Sequence, residues 1–233
     1  MSGVSEPRGK ILALFTGKIE SRWPGKAPSA INKQLAEAAL RLEENGFVDD
    51  RQADLKVHGG PEKAVHHYAS EHMEFWRGMF PEQGDQFVPG CFGENISTTG
   101  LHEDNLCLGD ILSLGTARVQ VCQGRQPCWK LNEHTGIRAM AAQFQKTACT
   151  GWYYRVLKNG VVAAGDDMKL LDRSNPEWML KRLITARFDP NLAVADALEL
   201  SRLPALSANW RQAFEKKSQS GFTENTDSRL LGT

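Results

Sequence analysis

The side chain with the clearest chemical potential is Cys128, which stands between Arg125 and Lys130 in the segment 119–131. This segment begins as an alternating apolar run, which predicts a short strand, and then breaks at a glycine and a proline. A thiol beside two cations has its thiolate form stabilised, and a thiolate attacks electrophiles or binds soft metals. We therefore predict that Cys128 is the chemical centre of the protein. The competing interpretation is a buried small hydrophobe, the common state of a free cysteine.

The composition of the chain limits the classes of function. Its 233 residues are enough for one sizeable core, or for a main domain with a small satellite. Because 28 basic residues balance 28 acidic ones, no net field attracts nucleic acid or an anionic membrane. We therefore expect neither nucleic acid nor a membrane as a partner.

The cysteines and the N-terminal residues indicate the compartment. Five cysteines, odd in number and irregularly spaced, disfavour a disulfide framework, and they show no CxxC pair or zinc-finger spacing. The apolar run 11–15 is too short for a membrane span or a secretory signal. We expect a cytoplasmic protein in a reducing compartment.

A second candidate binding segment runs from Lys56 through His58 to the pair Gly59 and Gly60. The glycine pair permits positive φ and close approach of the backbone to a ligand. The proline that follows predicts a helix over 62–79 with one apolar stripe. Because a helix N-terminus behind such a turn attracts anions, we predict a phosphate site here, to which the lysine and histidine add charge.

Short strands are predicted around these segments. Alternation and turn residues predict strands at 11–19, 106–114, 117–121, 151–157 and 161–164. The Asn-Gly dipeptide between the last two predicts a hairpin, and helical spacing predicts a helix over 135–147. Segment 34–45 has helical composition, but its alternation also suits an edge strand, so both remain open on these grounds. Closely spaced short strands indicate a barrel or a sandwich.

The C-terminal part has a different character. Asn175 and Asp189 each precede a proline and look like N-caps followed by proline at the first helical position. Helical apolar spacing predicts three helices, over 178–187, 191–203 and 207–218.

Three motifs occur in a fixed order along the chain: Lys-Val-His-Gly-Gly at 56–60, Phe-Gly-Glu-Asn-Ile at 92–96, and Pro-Cys-Trp-Lys-Leu at 127–131. In this order and spacing the chain resembles the MOSC family, which is named for the C-terminal domain of molybdenum-cofactor sulfurases. The helical tail resembles the three-helix domain of the YiiM-like branch, so the resemblance covers nearly the whole chain.

The resemblance implies an α+β fold with a β-rich, barrel-like MOSC domain and a small C-terminal three-helix subdomain. The expected boundaries are 1–173 for the MOSC domain, with its core motifs in 46–168, and 174–233 for the helices. The resemblance also favours strand over most of segment 34–45, against the helical propensity of its residues.

The resemblance further implies that Cys128 is the thiolate ligand of molybdenum in a pterin cofactor, the molybdenum cofactor. Molybdenum takes a soft thiolate readily, and neighbouring cations would keep the thiol deprotonated. The phosphate and pterin edge need cations and N–H donors. The expected cofactor-binding residues are Lys56, His58, Gly59, Gly60, Asn95, Ser97, Thr98, Arg125 and Lys130. An ordinary turn role is equally open for Asn95 and is favoured for Ser97 and Thr98.

Two residues depart from the family pattern. Asp49 stands where glycine is common, and Gly124 stands where proline is common. Both lie in expected pocket loops, so they affect the expected loop conformation and substrate preference rather than the family.

The activity implied by the resemblance is reduction of N-hydroxylated compounds, such as 6-hydroxylaminopurine, to the amine. Since the chain has no GxGxxG or flavin fingerprint, a separate reductase must supply the electrons. Two alternatives stay open: a sulfur carrier with a persulfide on Cys128, and a non-catalytic module that binds the cofactor. No strand-end lysine marks a Schiff base, so pyridoxal phosphate is not expected. Homodimerisation is a further open expectation.

Overall fold

The computed structural model of the protein describes residues 6–54, 59–219, 224 and 226–232. Its strands are β1 (Arg8–Gly17), β2 (Lys33–Leu35), β3 (Leu40–Glu43), β4 (Gly46–Phe47), β5 (Val65–Ala69), β6 (Ile96–Thr99), β7 (Ile111–Leu114), β8 (Ala117–Gly124), β9 (Trp152–Lys158), β10 (Gly160–Val162) and β11 (Asp167–Asp172). Its helices are α1 (His72–Met79), α2 (Trp129–Thr135), α3 (Met140–Thr147), α4 (Leu180–Phe188), α5 (Val194–Arg202), α6 (Ala208–Lys217) and α7 (Asp227–Leu231).

Seven strands form a closed barrel in the order β11–β7–β8–β9–β5–β6–β1, and β1 returns to β11. The start of β1 pairs with β11, from Arg8 opposite Lys169 to Lys10 opposite Asp167, while its middle pairs with β6. All neighbours are antiparallel except β5 and β6, which are parallel. That parallel pair needs a long crossover, which carries α1. The α+β, barrel-like fold class is therefore confirmed.

Half of segment 34–45 is strand, which is less than the resemblance implied. It contributes the end of β2 and all of β3, where Leu40 and Leu42 are buried while Arg41 and Glu43 are exposed. The alternation therefore prevails over helical propensity, because it lets one face of β3 join the core.

The predicted hairpin between β9 and β10 is wrong. Val161 in β10 pairs with Arg41 in β3, so β3, β4 and β10 form a separate small sheet. In β9, β8 occupies one hydrogen-bonding edge along the whole strand, and β5 occupies the other edge at residues 152–154. After the Asn-Gly turn the chain pairs with β3 in the small sheet, so the local turn signal does not decide the strand partner here.

The predicted helix over 62–79 is also wrong for most of its length. Residues Val65–Ala69 form β5, which is buried along its whole length between β6 and β9. A strand buried on both faces shows no alternation, and periodicity does not separate it from a buried helix. The helix is limited to α1, and only a three-residue 3₁₀ turn at Pro61–Lys63 follows Gly60. The expected helix N-terminus for a phosphate is therefore missing at this position.

Smaller differences concern the ends of elements. The first predicted strand runs 8–17 instead of 11–19, the strand predicted over 106–114 is shorter, and the one over 117–121 continues to Gly124. The predicted helix over 135–147 begins only at Met140, as α3; Gly136, with φ 70°, ends the preceding α2, which was not predicted.

The three C-terminal helices lie where they were expected, as α4, α5 and α6. The predicted caps are wrong, since α4 begins at Leu180 and α5 at Val194, several residues after the two prolines. Their apolar side chains belong to the same core cluster as the barrel interior. The domain boundary at 173/174 stays a prediction. Within the part of the chain that the structure describes, no helix has the length and apolar character needed to span a membrane.

Gly124, at the end of β8, lies in close contact with α4 and α6. A Cβ atom there would overlap Cγ1 of Ile184 and lie 3.1 Å from the ring of Trp210. The departure from the family pattern at this position therefore coincides with a close packing contact between β8 and the C-terminal helices.

We predict that Gly124→Ala lowers the free energy of unfolding by about 2 kcal/mol, because the added methyl group overpacks this contact. Urea denaturation measures the change. In the double variant, Ile184→Ala should make room for the added methyl group, so the combined loss of stability should be smaller than the sum of the two single losses. Gly78→Ala is the control: no described atom lies within 4 Å of its added Cβ, and helix propensity favours alanine. Equal effects of the two glycine substitutions would contradict the packing explanation.

A buried ion pair holds α1 against the loop after β6. His72 Nε2 lies 2.6 Å from Glu103 Oε2, and Oε1 of the same carboxylate accepts from the backbone N–H of Gly151 at 2.8 Å. Burial opposes protonation of His72, but hydrogen bonds to Cys149 and Glu103, with the glutamate charge, outweigh it and raise its pKa to about 10. The imidazole is therefore charged in the folded protein at neutral pH.

This pair predicts a pH-dependent stability. Since the pKa of His72 rises from 6.5 on folding, its contribution is complete below pH 6.5 and is lost as the pH rises towards 10. We expect the unfolding free energy of the wild type to fall by about 3 kcal/mol more than that of His72→Gln between pH 6.5 and about 9. Parallel urea titrations of both proteins test this, and identical pH profiles would disprove the assignment.

Candidate functional site

The strand ends at one end of the barrel surround a pocket, called here the barrel pocket. Its walls come from β2, β5, β9 and the start of α2, and from the loops before β2, after β4, before β6 and after β8. The lining residues are Ser29, Ala30, Ile31, Lys33, Asp50, Arg51, Gln52, Ala53, Lys63, His66, Gly93, Asn95, Arg125, Cys128, Lys130 and Tyr153. Five cations and one carboxylate make this pocket electropositive.

A second concavity, called here the helix cleft, lies beside the first. It is lined by Lys63, Gln126, Cys128, Trp129, Tyr153, Arg187, Asn209, Trp210, Gln212, Ala213, Lys216, Glu224, Ser228 and Arg229. Lys63, Cys128 and Tyr153 belong to both linings. Cys128 is half-buried at the N-cap position of α2, directly after the loop that leaves β8, so its side chain lies at the junction of the two spaces.

Arg125 and Lys130 line the barrel pocket together with Cys128, as the sequence predicted. Arg125 is buried, and its Nη1 donates to the carbonyl oxygen of Phe92 at 2.6 Å. Lys130 is also buried, and its Nζ donates to the carbonyl oxygen of Pro28 at 2.9 Å. These hydrogen bonds hold both cations beside the pocket, where an anion would meet them.

Asn95 lines the barrel pocket, but its hydrogen bonds are made within the protein. Its Oδ1 accepts from the backbone N–H of His66 at 3.1 Å, and its Nδ2 donates to Phe15 O at 3.2 Å and to Asp50 Oδ2 at 2.9 Å. The side chain therefore joins β1, β5 and the loop after β4. Its geometry is that of a scaffold residue, and contact with a cofactor stays a prediction.

Ser97 and Thr98 are not brought to the barrel pocket or the helix cleft. Both are fully buried within β6, and Thr98 Oγ1 hydrogen-bonds His67 Nε2 at 2.7 Å inside the barrel. They are strand residues and not turn residues, because β6 pairs with both β1 and β5. Their expected contact with a pterin does not fit this placement.

The predicted glycine pair packs against a side chain of the protein itself. Gln52 Oε1 accepts from the backbone N–H of Gly60 at 3.0 Å, and a Cβ atom at Gly59 would overlap the same amide. The close backbone approach expected for a ligand is thus made by Gln52, which lines the barrel pocket. Lys56 and His58 lie outside the described residues, so their predicted roles stay predictions.

Asp50 and Lys33 are pocket residues that the sequence reasoning missed. The carboxylate of Asp50 accepts from the ammonium of Lys33, from Asn95, and from the backbone N–H of Gly17 at 2.6 Å. Burial lowers the pKa of Lys33, while the charge of Asp50 opposes that change. Asp50 stood in a polar cluster that could have marked it; the lysine carries no comparable signal, because only folding places it there.

His66 and Tyr153 were also missed as pocket residues. Their rings lie 4.9 Å apart, and the imidazole is buried with its Nε2 lacking a hydrogen-bond partner among the described residues. Burial, with the charge of Arg125, lowers the pKa of His66 well below its ordinary value, so the ring is neutral. Neighbouring residues of a strand point to opposite faces, which places His66 in the pocket and His67 in the barrel interior; the sequence reasoning missed this because it predicted a helix here.

The architecture defines a class before any relative is considered: a small closed barrel whose cation-lined pocket contains one half-buried thiol. Residues 54–169 match the MOSC domain family. The chain is 40% identical over 222 residues to Protein YiiM of Escherichia coli (strain K12), covering 94% of this chain and 97% of that protein. The chain therefore belongs to the MOSC family and is YiiM-like.

Two further comparisons describe this relationship. A crystal structure of YiiM from Escherichia coli aligns with a TM-score of 0.81 at 32% identity, covering 97% of this chain and 99% of that chain. A protein of Gibberella moniliformis (strain M3125 / FGSC 7600) named Reductase is 34% identical over 201 residues, covering 84% of this chain but 35% of that protein.

The residues of the barrel pocket fit the cofactor that this family implies. Across 6–54, 59–219, 224 and 226–232, no group of three or more His, Cys, Asp or Glu side chains could hold a metal ion. A metal in this pocket would therefore have to bring most of its ligands and take a single soft one, the thiolate of Cys128. Molybdenum in a pterin dithiolene meets that condition, and its phosphate would suit the surrounding cations.

The ion pair of Asp50 yields a test of the pocket scaffold. We predict that Asp50→Asn lowers the free energy of unfolding by about 3 kcal/mol, because Lys33 then keeps a buried charge without its counter-ion. The double variant with Lys33→Met, which removes that charge as well, should regain part of the lost free energy of unfolding, as measured by urea denaturation. The exposed pair of Glu20 and Arg22 supplies the control, and Glu20→Gln should change stability by less than about 1 kcal/mol. A small effect of Asp50→Asn would mean that the pair does not hold the pocket.

Proposed function

We propose that this protein is a molybdenum-cofactor-dependent oxidoreductase that reduces N-hydroxylated compounds, such as 6-hydroxylaminopurine, to the amine. The observation that carries the proposal is the position of Cys128, a single half-buried thiol where a cation-lined pocket meets an open cleft. Membership of the MOSC family supports the cofactor, and the relative named Reductase supports redox chemistry.

The proposal assigns a role to five of the pocket residues. Cys128 would ligate the molybdenum, and the cofactor, when bound, supplies the two-electron redox chemistry. Arg125 and Lys130 would hold its anionic part, and the neutral ring of His66 would form part of the wall beside it. Asp50 would keep the pocket loops in place by its hydrogen bonds to three chain segments.

The reduction of a hydroxylamine to an amine consumes two electrons and two protons and releases water. Because the sequence has no nicotinamide or flavin fingerprint, a separate reductase would deliver the electrons. This partner belongs to the proposal, as do cytoplasmic location and homodimeric assembly.

The proposal is tested on protein from a molybdenum-replete host, by metal analysis and by turnover of 6-hydroxylaminopurine with a chemical electron donor. We expect Cys128→Ala to lose bound molybdenum and to lower turnover by at least about 100-fold, since it removes the metal's protein ligand. Cys91→Ala is the matched control, because Cys91 is also half-buried but lines neither space. Full metal content and activity in Cys128→Ala would exclude this assignment.

A sulfur carrier is the second candidate, because the half-buried thiol of Cys128 borders the open helix cleft and an acceptor could reach it there. Mass spectrometry of freshly isolated protein separates the two functions. One added sulfur on Cys128, without metal, would favour the carrier. Tight cofactor binding without turnover of any N-hydroxylated compound would instead indicate a binding module.

A further inference from the structure

The helix cleft has an excess of positive charge that the proposed cofactor does not require. Its lining includes Lys63, Arg187, Lys216 and Arg229, against the single carboxylate of Glu224. The barrel pocket has separate cations, Arg125 and Lys130 among them, for an anionic part of a cofactor. The charge of the helix cleft is therefore available to a second anion.

Two buried donors in the helix cleft lack acceptors among the described residues. Arg187 is 5% exposed and Trp210 is 2% exposed, and both line the cleft. Glu224 accepts from Nη1 and Nη2 of Arg187, but Nε of this arginine and Nε1 of Trp210 have no described partner. A buried N–H without an acceptor costs about 1–3 kcal/mol, so an acceptor on a ligand would be stabilising.

The remaining walls of the cleft suit a flat, polar ring. Trp129, Tyr153 and Trp210 supply aromatic surface, while Gln126 and Gln212 supply amide groups. Aromatic surface packs against planar heterocycles, and amides can donate to or accept from their nitrogen and oxygen atoms. The combination matches a heterocyclic compound that carries an anionic substituent.

Resting on the proposed function, we infer that the helix cleft binds the anionic group of the substrate. The protein would then act on N-hydroxylated heterocycles that carry a phosphate or a carboxylate, in preference to their neutral counterparts. Cys128 and Tyr153 border both spaces, so a substrate anchored in the cleft reaches the junction where the reducing centre is proposed. Arg187, Lys216 and Arg229 are the proposed specificity residues, and their charges set the preference.

A matched substrate pair tests this specificity. The 5′-monophosphate of 6-hydroxylaminopurine riboside differs from the riboside only by its phosphate, so these two compounds form the matched pair. We expect kcat/KM to be roughly tenfold higher for the charged member, and Lys216→Gln to lower this ratio by about threefold to tenfold. Lys216 is exposed, so the substitution should leave folding intact. Lys146→Gln, an exposed helix lysine that lines neither space, should leave the ratio unchanged.

A binding experiment gives a readout that is independent of turnover. Tryptophan fluorescence of cofactor-free protein is titrated with AMP and with adenosine, which differ by the phosphate. We expect tighter binding of AMP, weakened by Lys216→Gln and by added salt and unaffected by Lys146→Gln. Equal affinities for AMP and adenosine, or equal losses in both lysine variants, would overturn the inference.

The outcomes separate this inference from the proposed function. Turnover of neutral and charged substrates at equal kcat/KM would support the reductase and disprove the anion site. Charge-dependent AMP binding without turnover of any N-hydroxylated compound would support the anion site and disprove the reductase.

Discussion

The closure of the sheet by β1 is the constraint on which the rest of the structure depends. One stretch of this strand pairs with β11 and the next pairs with β6, so the sheet has no free edge at this point. Closure also gathers the ends of non-consecutive strands at one end of the barrel. The pocket exists because residues far apart in the chain, such as Lys33, Arg125 and Tyr153, meet there. Without closure, the same side chains would be distributed along an open sheet.

A network of hydrogen bonds supports the barrel pocket. Asp50 and Asn95 connect the end of β1, the start of β2 and the start of β5 through hydrogen bonds that are buried or partly buried. These residues are committed to the scaffold. The thiol of Cys128 instead lines a space bordered by cations, a setting that suits an anionic, metal-bearing cofactor. The residues that hold the pocket loops and the residue proposed to hold the metal are therefore different.

The C-terminal helices line the helix cleft, the second space that Cys128 borders. They pack on β8 closely enough that Gly124 has no room for a side chain, and their apolar residues share the barrel's core cluster. This contact brings Arg187 and Trp210 beside the cysteine, although they follow it by more than fifty residues in the chain.

The sequence by itself determined the family, the barrel class, the three helices and the thiol with its two cations, because each is encoded in local motifs or local periodicity. Tertiary structure decided what local signals do not contain. It converted the expected helix before α1 into β5, because a fully buried strand has no visible period, and it paired β10 with β3 rather than with β9. It also moved Ser97 and Thr98 into the barrel and brought Lys33 and His66 to the pocket. Pairing partners and burial are long-range properties, and they emerge only when the strands meet.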